Sequence, residues 1–241
     1  MSEQLTIVIP TYNEIENLPR LMPAIWQVLP QASILVVDDN SPDGTGKWCQ
    51  QAKQNNPKLK VLHRPGKQGL GAATMAGLQL ALQSDARFIA TMDADLSHSP
   101  EFLLLMWDAI KGNTDPNCAG VIGSRYVAGG QVVGWPVRRR WASWLANQFS
   151  RLWLGLPTCD NSGAFRIYRA SALQKIQLST MRNLGYGYLE EVVWRLKQKG
   201  LSFIELPITF TDRVEGRSKV NSMVAIKKFW EIARVPFISQ R

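Results

Sequence analysis

Short apolar runs alternate with longer amphipathic stretches over the first 125 residues of the chain. The apolar runs predict β-strands, and they cover residues 5–10, 34–37, 59–62, 88–92 and 118–123. The stretches between them predict helices over residues 17–29, 45–55, 71–83 and 101–111. Strands that alternate with helices build βαβ units, so we expect an α/β fold with a mostly parallel central sheet flanked by helices.

The pattern changes after residue 125. Gly129, Gly130 and Gly134 indicate a flexible loop, which is followed by three arginines at 138–140. Large apolar residues then recur at helical spacing: Trp141, Trp144, Leu145, Phe149, Leu152, Trp153 and Leu156. Such a stripe is typical of a helix packed on a core, but arginines beside tryptophans are also typical of a helix in a membrane interface. The sequence leaves both interpretations open.

Residues 223–241 repeat this amphipathic pattern more weakly. We therefore expect a main domain over residues 1–221, which includes an amphipathic helix at about 140–155, and a C-terminal amphipathic helix or tail over 222–241. No uncharged apolar run reaches the roughly 18 residues that a membrane span requires. The first residues lead directly into a strand, so no signal peptide is expected.

Composition narrows the classes of partner. The 241 residues are 45% apolar, which suits one large domain with a sizeable core. The net charge of +9 predicts anionic partners such as nucleotide phosphates, lipid head groups or nucleic acid. Three widely spaced cysteines argue against a disulfide framework or a zinc cluster and suit a reducing cytosol.

Acidic residues follow the predicted strands. Asp93 and Asp95 come directly after the fourth strand, and Asp38 and Asp39 come after the second. In open α/β sheets, ligands bind at the carboxyl ends of the strands. An Asp-x-Asp alone is common in surface turns. At a strand end, however, two carboxylates suit a hard divalent cation, Mg²⁺ or Mn²⁺, that clamps phosphate oxygens.

Basic and glycine-containing loops accompany these carboxylates. The segment 64–71 opens a helix, but it lacks the final Gly-Lys-Ser/Thr of a Walker loop. The first strand ends in Pro-Thr-Tyr-Asn-Glu rather than in Gly-x-Gly-x-x-Gly, which disfavours an NAD enzyme. Arg125 follows the fifth strand, and the basic segment 211–219 follows the apolar run 203–210. Together, these basic loops favour a site that binds a diphosphate and a second anionic reactant.

Several segments, in this order along the chain, resemble those of family 2 glycosyltransferases with the GT-A (Rossmann-like) fold. The matching segments lie at residues 8–14, 36–45, 92–96, 123–130, 162–166, 185–188 and 206–219. Within that family, Gly-Ser-Arg-Tyr at 123–126 and Arg-x-x-Gly-x-Ser-Lys at 213–219 are similar to the dolichol-phosphate (polyprenyl-phosphate) mannosyltransferases.

The resemblance implies roles for individual residues. The nucleotide-sugar residues would be Pro10, Tyr12, Glu14, Val37, Asp39, Asp93, Ala94, Arg125, Arg213 and Lys219. Those at the acceptor phosphate would be Arg125, Arg139 and Ser143, and the catalytic residues would be Asp93, Asp95 and Arg125.

The metal site departs from the family pattern at one position. Asp95 would ligate the ion directly and Asp93 would lie close to it. Two residues after Asp95 the family usually has glutamine, whereas this chain has Ser97, whose hydroxyl is shorter. The third ligand therefore stays open between Ser97, a water and His98. Glu191 also occupies a position where many family 2 enzymes have an acid, although it could instead anchor an arginine.

The implied reaction is a metal-dependent, inverting single displacement that moves mannose from GDP-mannose to a polyprenyl or dolichyl monophosphate. The second pKa of a phosphate monoester is about 6, so the acceptor needs no general base. The implied partners are a nucleotide sugar, a polyprenyl phosphate, a membrane surface and possible membrane proteins, without nucleic acid. We expect a cytoplasmic protein that is peripheral on the inner face of the membrane.

Two other functions remain open. One is transfer of glucose or another sugar from UDP to undecaprenyl phosphate. The other is a non-catalytic basic module that binds a membrane or nucleic acid. Nucleic-acid binding fits poorly with Asp39, Asp93 and Asp95 on one edge, because these carboxylates would repel phosphates.

Overall fold

The computed structural model describes residues 4–181, 185, 187–212 and 222–238, and within the last range the side chains from 227 onward. The described strands are β1 (Leu5–Thr11), β2 (Ser33–Asp38), β3 (Leu59–His63), β4 (Phe88–Thr91), β5 (Cys118–Ser124), β6 (Gln131–Val133), β7 (Arg166–Arg169), β8 (Ser202–Pro207) and β9 (Thr209–Thr211). The described helices are α1 (Leu18–Val28), α2 (Thr45–Gln54), α3 (Leu70–Leu82), α4 (Pro100–Gly112), α5 (Val137–Leu154), α6 (Ala170–Gln174), α7 (Tyr188–Gln198) and α8 (Ser222–Ile238).

In the described part of the chain, the main sheet has the strand order β3-β2-β1-β4-β7-β5-β8. Among the described strands of this sheet, only β7 runs antiparallel to its neighbours β4 and β5, so the expected α/β fold with a mostly parallel sheet is confirmed. The parallel strands therefore all end at one edge. From β1 the chain proceeds outward to β2 and β3 and then returns to β4 on the other side of β1. Such a switch point is where open α/β sheets bind ligands.

Both faces of the sheet are covered by helices, because adjacent residues of its strands point to opposite sides. Ile7 and Ile9 of β1 share one apolar cluster with residues of α1 and α4. Val8, between them, belongs to a second cluster with residues of α3, α6 and α7. Burial on both faces explains why the parallel strands are continuous apolar runs.

The sequence pattern located the parallel strands and missed the shorter ones. The short antiparallel strand β7 was not predicted. Its two ends are arginines, and Arg166 is buried with its guanidinium donating to backbone carbonyls of Asn161 and Gly163. The apolar run 203–210 is divided between β8 in the main sheet and β9, which forms a second sheet with β6. The segment read as a flexible loop contains β6 itself.

Helix α5 has an unusual distribution of polar and apolar side chains. Its buried residues include the polar Asn147 and Ser150. By contrast, Trp141 is 60% exposed and Leu152 is 83% exposed. The apolar stripe predicted from the sequence therefore faces mainly outward, and the interpretation as a core-facing stripe was largely wrong.

Helix α8 lies against α5 and α7. The rings of Phe149 and Phe229 stack with their centroids 3.9 Å apart, and the Trp153 indole donates to the carbonyl of Ala233 at 3.1 Å. Trp230 of α8 is exposed beside this contact. None of the helices within the described residues is long and apolar enough to cross a bilayer.

Helix α1 contains Pro23, and a proline inside a helix is expected to kink it or shift its start. The helix begins at Leu18 and continues through Pro23 to Val28, so its start is not displaced. Pro19 lies in the first turn, where a missing N–H costs nothing.

Close packing of α3 on the sheet gives a testable consequence. A Cβ at Gly77 would lie 2.3 Å from Cγ1 of Val8 and 2.9 Å from Cγ2 of Val37. We expect Gly77→Ala to lower the free energy of unfolding by about 1–3 kcal/mol, because both valines are buried and must shift. Urea unfolding followed by tryptophan fluorescence measures this change.

Gly112→Ala is the matched control, since a Cβ at this helical position meets nothing within 4 Å. Its free energy of unfolding should stay within about 0.5 kcal/mol of the parent. Equal stability of the two variants would contradict the close approach of α3 to the sheet.

Candidate active site

The turn that follows β4 carries the two central carboxylates. Oδ1 of Asp95 accepts hydrogen bonds from the Ser97 backbone N–H at 3.1 Å and from the Ser97 hydroxyl at 2.5 Å. Between them, Leu96 has a φ of 62°, a left-handed conformation that is costly for a large side chain. Strained residues of this kind cluster at ligand sites, where the surrounding structure holds them in place.

His98 packs against this turn. Its ring stacks on Phe165 with centroids 4.6 Å apart, and its Nδ1 accepts a hydrogen bond from the Asp93 backbone N–H at 3.2 Å. Burial lowers the pKa of His98 to about 4. The imidazole is therefore neutral near pH 7, which agrees with Nδ1 acting as an acceptor.

The ends of β1 and β2 are joined by hydrogen bonds. The Asn13 N–H donates to the Ser41 hydroxyl at 3.0 Å, and the Glu14 N–H donates to Thr45 Oγ1 at 3.0 Å. Asn13 and Asn40 have φ values of 62° and 57°. Asparagine tolerates this region better than most residues, so both strands turn sharply at the same edge.

Asp39 lies at this edge and is engaged by the segment after β3. Its carboxylate accepts hydrogen bonds from the Arg64 guanidinium and, at 3.2 Å, from the Gln68 N–H. Lys67 Nζ lies 3.9 Å from the centroid of the Tyr12 ring. The loop after β3 therefore covers the ends of β1 and β2. Arg64 was not among the predicted site residues, although its place in a basic loop after a strand was a signal.

Arg125, at the end of β5, forms a buried ion pair with Asp160. Its Nε and Nη2 each lie 2.7 Å from a carboxylate oxygen of Asp160, and its backbone N–H donates to the same carboxylate at 3.0 Å. Burial alone would raise the pKa of Asp160, but the Arg125 cation and its hydrogen bonds hold that pKa below the ordinary 3.8. Asp93 is close enough to contribute to the raised pKa of Arg125.

Asn147 connects this ion pair to α5. Its Oδ1 accepts from the N–H groups of Asn161 and Ser162, at 2.8 and 3.1 Å. The Ser162 hydroxyl accepts from Asn147 Nδ2 at 3.0 Å and from Arg125 Nη2 at 2.9 Å. The polar side chain inside α5 therefore holds the loop that carries Asp160.

A chain of rings links the carboxylate turn to the start of α5. His98 meets Phe210 edge-on at 5.5 Å, and Phe210 meets Trp135 at 5.2 Å. The guanidinium of Arg139 lies 3.9 Å from the Trp135 ring and pairs with Asp212 at 3.2 Å. Arg139 is thus held between an indole and a carboxylate.

A cavity of about 760 Å³ opens beside Arg125. Ligand sites commonly have volumes of about 300–1,000 Å³. Its lining residues are Arg125, Tyr126, Gly130, Gln131, Val132, Val137, Arg140, Trp141 and Trp144. On the same side, the Tyr126 hydroxyl donates to the hydroxyl of Ser143 at 2.7 Å.

The family model described as Glycosyl transferase family 2 matches residues 6–177. The chain belongs to glycosyl transferase family 2. It is 41% identical over 233 residues to polyprenol monophosphomannose synthase of Mycolicibacterium smegmatis, with 96% of this chain and 86% of that protein covered. It is 40% identical over 214 residues to undecaprenyl-phosphate mannosyltransferase of Micrococcus luteus, with 89% of this chain and 86% of that protein covered.

The fold of this family 2 chain also resembles solved structures. Glucosyl-3-phosphoglycerate synthase of Mycobacterium tuberculosis, in complex with Mn²⁺, uridine diphosphate and glucosyl-3-phosphoglycerate, superposes with a TM-score of 0.68. The two chains are 13% identical, and the match covers 97% of this chain and 80% of the other. The likeness confirms the GT-A fold class expected from the sequence.

The structure brings most of the residues predicted for this glycosyltransferase site to one edge of the sheet. Pro10 and Val37 are buried register partners in β1 and β2, and Ala94 is buried between the two carboxylates. Arg213 and Lys219 lie outside the described residues. Glu191 is buried and pairs with Arg195 at 2.8 Å, so it anchors an arginine as the alternative interpretation held.

The donor set fits a divalent cation that shares its coordination with a ligand. Among the described residues, no group of three or more His, Cys, Asp and Glu side chains could hold a metal ion. The turn instead offers the carboxylates of Asp93 and Asp95 and the hydroxyl of Ser97. Mg²⁺ is usually bound by one or two carboxylates together with substrate phosphates, so this partial set fits.

We expect the buried ion pair of Arg125 and Asp160 to contribute strongly to stability. Asp160→Asn leaves Arg125 buried without its counter-charge, and breaking such a pair costs about 3–5 kcal/mol. We expect a loss of that order in the free energy of unfolding near pH 7, measured by urea titration.

The exposed Asp85→Asn is the control and should change stability by at most about 0.5 kcal/mol. The folded-state pKa of Asp160 is lowered, so its contribution is present above pH 3.8 and is lost as the pH falls below that value. The difference in the free energy of unfolding between the parent and Asp160→Asn should therefore become smaller below pH 3.8. A constant difference, or none, would contradict the structural role of the pair.

Proposed function

We propose that the protein transfers mannose from GDP-mannose to a polyprenyl monophosphate, with inversion at the anomeric carbon. One observation carries this proposal: a carboxylate turn suited to a metal–diphosphate lies beside the buried Arg125 cation, which also lines a cavity with basic and aromatic walls. The relatives named as polyprenol and undecaprenyl-phosphate mannose transferases support the same acceptor class.

The reaction needs no base from the protein. A phosphate oxygen of the acceptor attacks the anomeric carbon while the bond from that carbon to the nucleoside diphosphate breaks. Because the second pKa of a phosphate monoester is about 6, this oxygen is already ionised near neutral pH. The buried carboxylate of Glu191, which is bonded to Arg195, is then not required as a general base.

Bringing two polyanions together is the main physical cost. Two unit charges of like sign at 4 Å repel by about 4 kcal/mol at an effective dielectric constant of about 20. The resemblance implies that Arg125, Arg213 and Lys219 offset this repulsion. Because Asp160 already balances the charge of Arg125, its contribution is the positioning of N–H donors beside the cavity. A bound Mg²⁺ or Mn²⁺, held by Asp95 with Asp93 and Ser97, would neutralise charge on the leaving diphosphate.

We assign the nucleoside to the ends of β1 and β2. Tyr12 offers a ring for stacking, Glu14 lies on the same loop, and Asp39 with Arg64 offers an acceptor beside a donor. A UDP-sugar fits this pair as well as GDP-mannose does, because uracil and guanine both present an N–H donor beside a carbonyl. UDP-glucose therefore stays the second candidate donor.

Membrane association follows from the outward apolar face of α5 and α8. Trp141, Leu152 and Trp230 are each at least 60% exposed, and they lie on two helices that pack together. Large exposed apolar patches mark membrane or protein interaction sites. We propose that this surface, with the C-terminal helix as part of it, holds the enzyme peripherally on the inner face of the membrane. A membrane-protein partner is the other possible occupant.

The test of donor and acceptor uses radiolabelled nucleotide sugars with short polyprenyl phosphates, read as lipid-soluble product. We expect GDP-mannose to be used in preference to UDP-glucose, and only with a divalent cation present. Asp95→Ala should abolish transfer and should also remove the metal-dependent thermal stabilisation by GDP, which grows with nucleotide concentration in the parent protein.

Asp108→Ala, on the exposed side of α4, is the matched control and should retain both properties. Full turnover by Asp95→Ala would contradict the metal site. Stabilisation of the parent by RNA, without stabilisation by nucleoside diphosphates, would favour a non-catalytic basic module instead.

The membrane surface is tested by a charge introduced into it. Leu152→Glu on α5 should reduce sedimentation with anionic liposomes about tenfold or more, because a carboxylate resists transfer into the interface and is repelled by the lipid. Leu105→Glu, which alters an exposed leucine on α4, should leave binding unchanged. Equal loss in both variants, or in neither, would contradict the assignment of this face.

A further inference from the structure

Three successive backbone N–H groups after β1, those of residues 13–15, are all bound by side chains of the loop after β2. The acceptors, in the same order, are Ser41 Oγ at 3.0 Å, Thr45 Oγ1 at 3.0 Å and Asp43 Oδ2 at 3.2 Å. Backbone N–H groups need such partners where the sheet no longer supplies them. The loop after β2 therefore determines the path of the chain directly after Tyr12.

The Ser41 hydroxyl is oriented by a buried carboxylate. It donates to Oδ1 of Asp38, which is 2% exposed, and the Ser41 backbone N–H donates to the same oxygen at 3.3 Å. A hydroxyl that donates to a carboxylate becomes a better acceptor, because hydrogen bonds in a chain polarise one another. Asp38 therefore acts on the Asn13 N–H through Ser41.

Thr45 and Asp43 form a second relay of the same design. The Thr45 hydroxyl donates to Oδ1 of Asp43 at 2.6 Å and accepts from the Glu14 N–H. Burial alone would raise the pKa of Asp43, but hydrogen bonds from Thr45 and Ile15 hold that pKa below the ordinary 3.8. The carboxylate is therefore ionised near pH 7, and it fixes the orientation of a hydroxyl whose residue is fully buried.

The two relays lie directly after the two residues assigned to the nucleoside. Tyr12 precedes Asn13, and Asp39 precedes Asn40, and both asparagines are left-handed, with φ values of 62° and 57°. The Asp39 N–H also donates to the carbonyl of Thr11 at 3.2 Å. The relays hold these two turns against each other. The separation between the Tyr12 ring and the Asp39 carboxylate is thus determined by side chains outside that pair.

Building on the assignment of the nucleoside to the ends of β1 and β2, we propose that Ser41 and Thr45 are positioning residues for the nucleoside of the donor. They hold Tyr12 and Asp39 at the separation that a base needs to stack on the ring and bond to the carboxylate. A site arranged before binding loses less conformational freedom when the ligand arrives. Loss of either hydroxyl should therefore weaken binding of the nucleoside and leave binding of the diphosphate unchanged.

Calorimetric titration of the full chain with GDP and Mn²⁺, in the absence of acceptor, tests this role. Thr45→Val should weaken binding about tenfold or more, because the Glu14 N–H loses its acceptor, and Thr45→Ser should stay within about threefold of the parent. Thr6→Val makes the same change at a buried position at the other end of β1 and is the matched control. Equal affinities for Thr45→Val and Thr6→Val would overturn the proposal.

Fragments of the ligand separate positioning from a general disturbance of the fold. Thr45→Val and Ser41→Ala should weaken binding of guanosine by about the same factor as GDP and should leave binding of pyrophosphate with Mn²⁺ unchanged. Ser41 is only partly buried, so its variant keeps the test valid if Thr45→Val does not fold. Equal losses for guanosine and pyrophosphate would show a merely structural role and would overturn the proposal.

A close approach offers an independent probe of the relay through Asp38. A Cβ at Gly46 would lie 2.5 Å from Oδ2 of Asp38, so Gly46→Ala displaces this carboxylate without removing a hydrogen-bonding group. We expect its affinity for GDP to fall about tenfold, as in Ser41→Ala. Gly112→Ala, where an added Cβ meets nothing within 4 Å, should bind GDP like the parent. Unchanged GDP affinity in Gly46→Ala would overturn the relay through Asp38.

Kinetics and the parent's own affinity distinguish this inference from the proposed function. Where transfer occurs, Thr45→Val should raise the KM for the nucleotide sugar and leave the KM for the isoprenyl phosphate unchanged. If UDP binds in place of GDP, the same loss of affinity is expected with UDP. A parent protein that binds no nucleoside diphosphate would overturn the proposed function and this inference together. Normal binding by the parent, with no difference between Thr45→Val and Thr6→Val, would overturn this inference alone.

Discussion

The buried pair of Arg125 and Asp160 is the contact on which the rest of the site depends. A buried guanidinium is costly unless its hydrogen bonds are satisfied, and here Asp160 and the Ser162 hydroxyl accept from it. Glu205 of β8 in turn accepts from the backbone N–H of Asp160 at 3.0 Å. These contacts therefore fix the ends of β5 and β8 and the loop before β7 relative to one another. The negative charge of Asp93 is close enough to contribute to the raised pKa of Arg125.

This network also explains why α5 has its polar side inward. Asn147 faces the protein interior, where its side-chain oxygen accepts hydrogen bonds from two backbone N–H groups of the loop beside Asp160. With those positions taken by polar groups, the large apolar residues of the helix lie on the opposite side, and Leu152 is 83% exposed. An outward apolar face is unfavourable in water and favourable at a lipid surface. The satisfaction of a buried charge and the exposed apolar face are thus two consequences of one helix orientation.

The sequence predicted those features that repeat along the chain or sit at strand ends. Continuous apolar runs located the parallel strands, and Asp39, Asp93 and Asp95 were placed correctly at one edge because parallel strands end together. Strand β7 escaped detection since it is short and carries Arg166 inside the protein. The partner of Arg125 could not be found, because it lies 35 residues away in the chain and no local period joins the two.

The placement of Arg139 and Arg140 shows the same limit, since Arg140 lines the cavity and Arg139 contacts Trp135 and Asp212 instead. Adjacent helical residues differ by about 100° in direction, so only the packing of α5 decides which one faces the cavity. Along the sheet, the ends of β2 and β1 lead to Asp39 and Tyr12, β4 leads to the carboxylate turn, and β5 leads to Arg125 beside the cavity. In-line displacement requires nucleophile and leaving group on opposite sides of the anomeric carbon. For the proposed reaction, the strand order separates the end assigned to the donor from the end assigned to the acceptor, with the carboxylate turn between them.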